Sequence, residues 1–149
     1  MNQYTFRQND LPARLNSANG KNEHCFAVTL YVIACDAINR NTGLTLIPNA
    51  NAYENIYFEA NEKKLLKDET GKNKHGAYVN DDTGMIQFVL DYYKSGLKVF
   101  RTGTDADYLV LNIKTQNGGH FRELNYDPWH SEVIGRYLKS VRGYKVVKK

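Results

Sequence analysis

Two residues in this sequence have the type and setting that acyl-transfer chemistry needs. Cys25 stands where a polar, Asn-rich arm (residues 1–24) meets the most apolar stretch of the chain, C-F-A-V-T-L-Y-V-I-A-C-D-A-I over 25–38. A thiol at a helix N-terminus feels the positive end of the helix dipole, which favours the thiolate. The first turn also offers backbone N–H groups without intrahelical partners, which can hold an oxyanion. The second residue is His120, in N-G-G-H-F, where the glycines leave room for a substrate backbone to approach. A thiol and an imidazole make a nucleophile and its general base.

A third group has to orient the imidazole, and Asp127 in N-Y-D-P-W is the candidate. On one straight strand, residues 120 and 127 would lie ~23 Å apart. A tight fold-back at Glu123 and Leu124 would instead pair 120 with 127, at ~4.5–5.5 Å between Cα atoms. Asn125, Asp105 and Asp107 stay open as substitutes. His24, His75 and His130 read as surface or internally satisfied histidines, and Cys35 as a buried structural thiol. On one helix Cys25 and Cys35 stand ~15 Å apart, too far for a disulfide.

The elements that must position these groups follow from pattern. The stretch 25–38 is apolar nearly all round, which predicts a buried helix. Asn22 or His24 would start it, and Asn41 to Gly43 would end it. Residues 44–58 read as extended and then irregular, and Glu59 to Lys74 as a short exposed helix and loop. Asp82 or Thr83 can cap another helix, with Met85, Phe88, Val89 and Tyr92 at helical spacing and Gly96 as the stop. Strands are predicted at Leu97 to Thr102, at Tyr108 to Thr115, from His120 onward and at Gly143 to Val147, with Asn117-Gly118-Gly119 as a hairpin turn. Leu109, Leu111 and Ile113 share one side of the second strand. Helices lead and strands follow, so the fold class is α+β, a buried N-terminal helix packed on a C-terminal antiparallel sheet.

Composition narrows the function. A chain of 149 residues suits one domain, 1–149. No apolar run reaches the ~18 residues of a membrane span, and Met1 to Asp10 contains no signal-peptide core, which favours a cytoplasmic or phage-associated protein. The two cysteines and four histidines show no metal-ligand spacing, so no metal or organic cofactor is expected. The net charge of +4 gathers in the tail, at Arg136, Lys139, Arg142, Lys145, Lys148 and Lys149. These read as charged outer positions of a strand, and no RRM, KH or zinc signature argues for nucleic acid.

The motifs R-Q-N-D at 7–10, H-C-F-A-V-T at 24–29, G-G-H-F at 118–121, Y-D-P-W at 126–129 and the closing R-G-Y-K-V-V resemble the papain-like cysteine peptidase superfamily. Within it they are similar to the bacteriocin-processing-like (double-glycine leader) peptidases and their phage-type relatives. The resemblance spans nearly the whole chain through short motifs. It implies a papain-like fold, a cysteine peptidase activity and no cofactor. It also implies a Gln ahead of the nucleophile that completes the oxyanion hole. Gln8 fits by its context, with Asn19 or Asn22 as the other choices. Phe26 stands where transporter-linked relatives carry Gly, and the spacing from His120 to Asp127 is shorter than the family's. The expected partner is a peptide or protein substrate, with peptidoglycan cross-links, leader peptides and host proteins all open. Two other readings share the scaffold: a non-catalytic binding module, and a transglutaminase-like or deamidating acyl-transfer effector. Tyr78, Tyr126 and Trp129 are the aromatic candidates for a groove wall. Iodoacetamide at neutral pH should modify Cys25 well before Cys35, and equal or reversed rates would remove the argument for an activated thiol.

Overall fold

The structure, a computed structural model, describes residues 6, 10–15, 24–67, 78–115, 118–123 and 138–149. A single 3-10 turn at Ala13–Leu15 precedes α1 (Cys25–Thr42), α2 (Ala50–Glu62), β1 (Leu66–Lys67), β2 (Tyr78–Val79), α3 (Asp82–Tyr92), β3 (Leu97–Arg101), β4 (Tyr108–Thr115), β5 (Gly118–Glu123) and β6 (Leu138–Lys148). β1 and β2 form a small antiparallel pair. The other four strands form one antiparallel sheet in the order β3-β6-β4-β5. The α+β expectation therefore holds at the level of helices packed on an antiparallel sheet.

α1 is buried without a break from Phe26 to Ile38. Such a helix needs walls on all sides. α3 and β5 pack against it, and the arm and α2 add a layer of rings. Phe6 and Tyr53 both meet Tyr31 edge-on, with centroids 5.8 and 5.6 Å away. The helix stops where the sequence predicts, at Gly43, whose φ of 75° is the left-handed C-cap that glycine adopts without strain. Two polar side chains then hold the exit. Asn39 Nδ2 donates to Leu46 O at 2.9 Å and its Oδ1 accepts from Leu46 N at 2.7 Å.

α2 corrects the reading of residues 44–58. The Asn49 side chain accepts from Ala52 N at 2.9 Å and caps a helix that buries Tyr53, Ile56, Tyr57 and Ala60. That spacing is one helical face, and three of its members are tyrosine or alanine, which a purely aliphatic pattern overlooks. Of the charged segment that begins at Glu59, residues 59–62 belong to the end of this helix. α3 is capped by Asp81, whose side chain accepts from Gly84 N at 2.9 Å, so Asp82 is its first residue rather than its cap. Its buried face is Met85, Ile86, Val89 and Leu90. Phe88 sits at the margin of the core and Tyr92 is exposed.

The pleat assigns the sheet faces. Tyr108 and Val110 of β4 are buried, and Tyr108 Oη donates to the Asp36 carboxylate of α1 at 2.5 Å. Tyr108 lies opposite Tyr144 and Val110 opposite Arg142 in the ladder. These alternate positions face the helices. Asp36 is almost wholly buried and also takes the Arg40 guanidinium at 2.9 Å, so the internal charge is paired one turn away. β6 extends the predicted Gly143–Val147 strand backward to Leu138, with an irregularity between the partners of Asn112 and Ile113. Gly143 is required where it is: a Cβ there would meet Thr102 O at 2.5 Å.

β3 is an edge strand, and a side chain of α3 closes its open side. Gln87 Nε2 donates to Leu97 O at 2.9 Å, and Gln87 Oε1 accepts from Val99 N at 3.1 Å. The amide thus imitates a neighbouring strand and covers the edge against pairing with another chain. Gln87→Ala should lower stability by about 1–2 kcal/mol, the cost of two backbone groups losing a shared partner. Gln87→Glu, which keeps the acceptor and loses the donor, should fall between. Urea midpoints at unchanged slope measure both.

Candidate functional site

Cys25 is the first residue of α1, partly exposed and outside any disulfide. The side chain of its predecessor, His24, does not cap the helix. The ring turns inward, fully buried. Its Nε2 lies 2.7 Å from Leu15 O, and because a carbonyl only accepts, Nε2 carries the proton. In this neutral tautomer Nδ1 accepts from Tyr53 Oη, 2.7 Å away. Of the two positions the sequence left open for it, His24 takes that of a satisfied core histidine rather than a surface one, and it ties the arm to the start of α1. Arg14 reinforces the tie by closing a fork on Glu54 of α2, at 2.9 and 2.6 Å. Tyr53 lies beside Cys25. Burial first, then the neighbouring Tyr57 and Cys25, hold its phenol well above the ordinary range, so it stays a donor. Thr29 Oγ1 donates to Cys25 O at 2.7 Å and fixes the first turn from within.

The first turn of α1 meets β6 at Phe26. The Arg142 guanidinium carbon lies 5.0 Å from the centre of the Phe26 ring, the residue after Cys25. Arg142 also faces Asp82, the first residue of α3, with Nη1 3.5 Å from Oδ2. The same oxygen accepts from Tyr144 Oη at 2.6 Å and lies 3.9 Å from Arg101 Nε. Among the described residues, Arg142, Arg101, Asp82 and Tyr144 thus gather where the start of α3 meets β6 and β3. The sequence reading placed Arg142 among outer charged positions of the tail. The ladder turns it inward because it is in phase with Val110 and Tyr144. Other tail charges do sit outside, Lys145 against Asp105 and Lys149 against Asp91, each at 3.1 Å.

His120 lies in β5, the strand packed against α1, opposite Ile113. The expected nearness of the Cys25 helix and the His120 strand is met at the level of these elements. β5 begins at Gly118, so both glycines of the predicted turn belong to the strand, and Asn117 lies outside the described residues. Position 121 pairs with Asn112 and shares the phase of Val110 and Tyr108, and position 120 has the opposite phase. Asp127, Gln8, Asn19, Asn22, Asn125, Tyr126, Trp129, His75 and His130 lie outside the described residues.

Asp105 and Asp107 do not suit the orienting role they were held open for. Six steps of ~3.3 Å separate position 107 from Ile113, the partner of His120, which is ~20 Å. Asp107 is also committed to the ladder, accepting from Val146 N at 2.9 Å, and Asp105 is exposed and paired with Lys145. Tyr78 is exposed on β2. A hollow of about 390 Å³ at the β3–β4 connection, lined by Thr102, Thr104, Asp105, Leu109 and Val141 among others, holds neither Cys25 nor His120. Among the described residues no group of three or more His, Cys, Asp or Glu side chains could hold a metal ion. Among them, too, no helix is long and apolar enough to cross a membrane.

Cys35, ten residues along the same helix, is a buried thiol pushed up to about 12, chiefly by burial. Burial likewise raises Tyr31 and Tyr144. A group whose folded pKa is raised and which ionises by losing a proton releases it first from the unfolded chain. Stability must then fall as pH rises from about 9, where an unfolded thiol begins to ionise, toward 12. Urea unfolding at pH 7.5, 9 and 10.5 should show this decline, and Cys35→Ala should flatten it by the thiol's share. An unchanged slope would place the alkaline loss on the tyrosines alone.

Comparison with protein-family models, with curated proteins and with solved structures finds no match to this chain, so the site rests on its own geometry.

Proposed function

We propose that the chain is a cysteine peptidase or amidase acting by acyl transfer from Cys25. One observation carries this reading: the only part-exposed thiol among the described residues is the first residue of a buried helix. The dipole of α1 favours the thiolate. In the mechanism, His120 takes the Cys25 proton and the sulfur attacks the carbonyl carbon of a peptide or amide. The oxyanion is held by first-turn N–H groups and the Gln8 amide. The tetrahedral adduct collapses, the C–N bond breaks, and His120 returns the proton to the leaving amine. Water, deprotonated by His120, then releases the acyl group as a carboxylate. Asp127 holds the imidazole in its working tautomer.

The phase of the β4–β5 ladder favours a second reading, a papain-like scaffold used for binding. Position 121 rather than 120 is in step with the helix-facing residues, and a binding module needs no base at Cys25. A deamidating or transglutaminase-like effector uses the same dyad and differs in the acceptor, so amine incorporation in place of hydrolysis identifies it.

The pH dependence of Cys25 alkylation separates the first two. A working dyad gives an alkylation pKa below that of an ordinary thiol, and His120→Ala moves it upward and abolishes turnover of a peptide library. Asp127→Ala should leave residual activity. Gln8→Ala should cost ~10²–10³ in rate, the usual loss for one oxyanion donor. An alkylation profile and turnover indifferent to His120→Ala would end the hydrolase reading and leave the binding module.

A further inference from the structure

We infer that the segment 44–47, between α1 and α2, is a strand edge through which a second copy of this chain pairs, antiparallel and centred on Leu46.

Backbone geometry is the first argument. The Asn39 amide takes both the N–H and the C=O of Leu46, at 2.7 and 2.9 Å. The two groups of one residue lie on the same side in extended backbone, so Leu46 is held as in a strand and Asn39 stands in for its neighbour. The N–H and C=O of Thr45 and Ile47 then point to the opposite edge. Among the described residues, neither of these N–H groups has an acceptor and no donor reaches Thr45 O. Ile47 O accepts from Asn49 Nδ2 at 3.3 Å, which leaves it a lone pair.

The surface is the second. Ile47 and Leu44 are the most exposed large hydrophobic side chains among the described residues, at 51% and 49%. Open edges are commonly guarded by a charge or by an inserted side chain, as Gln87 guards β3. No charge guards this one. Residues 41–53, between Arg40 and Glu54, are the longest run of the chain without Asp, Glu, Lys or Arg. Two copies of a chain with net charge +4 can therefore meet here with no like charges at the contact.

Register is the third, and it selects a second copy as the occupant. An antiparallel pair centred on Leu46 sets Thr45 opposite Ile47 of the second copy, and Ile47 opposite its Thr45. Both are hydrogen-bonded pairs, so every outward N–H meets a carbonyl. Leu46 faces Leu46 as a non-hydrogen-bonded pair, its own groups being held by Asn39, and Leu44 comes against Pro48 of the second copy. Centring on Thr45 or Ile47 would instead require Gly43 or Asn49 as a ladder partner. Gly43 is left-handed, at φ 75°, and Asn49 N–H is given to Tyr31 Oη at 3.3 Å. Pro48, which has no N–H, ends the edge. A contact of this size is small for a protein interface, so the dimer is a weak one, with a dissociation constant of about 0.1 mM.

Amide exchange on the isotope-labelled full chain tests the pairing residue by residue. The Thr45 and Ile47 amides should exchange about fivefold more slowly at roughly 2 mM chain than at roughly 0.02 mM, as the dimer fills. The Leu46 amide, held by Asn39, should not respond to concentration. Sedimentation over the same range should show the weight-average mass rising toward that of two chains. Thr45→Pro removes only an N–H that is unused within the chain, and Ile47→Lys places a charge on the edge. Each should keep the urea midpoint of the parent and stay monomeric, with exchange at positions 46 and 47 independent of concentration. If Thr45→Pro lowers the urea midpoint, Ile47→Lys decides. A chain that is monomeric throughout, or a dimer whose formation leaves the Thr45 and Ile47 amides unprotected, overturns the inference. So does protection of the two amides by an added blocked Val-Thr-Val-Thr peptide when the chain alone gives none, since the edge would then serve a foreign strand.

Discussion

An α-helix that is apolar on every side has no face to offer water, and the burial of α1 from Phe26 to Ile38 is the constraint on which the other elements depend. A two-layer fold covers one side of a helix. Here α3 and the sheet cover one side, and α2 with the arm covers another, through Phe6, Leu15, Tyr53 and Tyr57. The covering elements are amphipathic because each has α1 behind it and solvent in front. This is why α2 carries glutamates on one side and a run of Tyr53, Ile56, Tyr57 and Ala60 on the other.

Apolar packing alone would let such a helix rotate about its axis or slide along it, since all its faces are similar. Polar groups remove that freedom. Asp36 must meet Tyr108 and Arg40, because an unpaired buried carboxylate is costly. His24 must meet Leu15 and Tyr53 for the same reason. The two contacts sit near opposite ends of the buried stretch. Together they set rotation and register, and in doing so they bring Cys25 to the surface while Cys35 stays inside.

The two thiols show how strongly position decides chemistry. They share a helix, but Cys35 is buried and, chiefly by that burial, pushed up to about 12, where almost none is thiolate at neutral pH. Cys25 stands, partly exposed, at the positive end of the same helix.

What the sequence alone determined is what local pattern and chain direction control. The apolar run from Cys25, the glycine that ends it, the extent of β3 and β4 and the order of helices before strands all follow from periodicity and turn residues. Cys25 as the thiol at a helix start was legible for the same reason, whereas for His24 the sequence left a surface and a satisfied position both open, and the fold chose the second. α2 was not, because its buried face is written mostly in tyrosine and alanine, which count as apolar only once a partner surface exists to cover them. Arg142 was not, because in a basic tail a strand's alternation does not say which phase faces inward. The ladder with Val110 and Tyr144 fixed that phase. The separation of Asp105 and Asp107 from His120 is likewise a matter of register. Such facts belong to pairings between segments far apart in the chain, and only the folded structure brings those segments together.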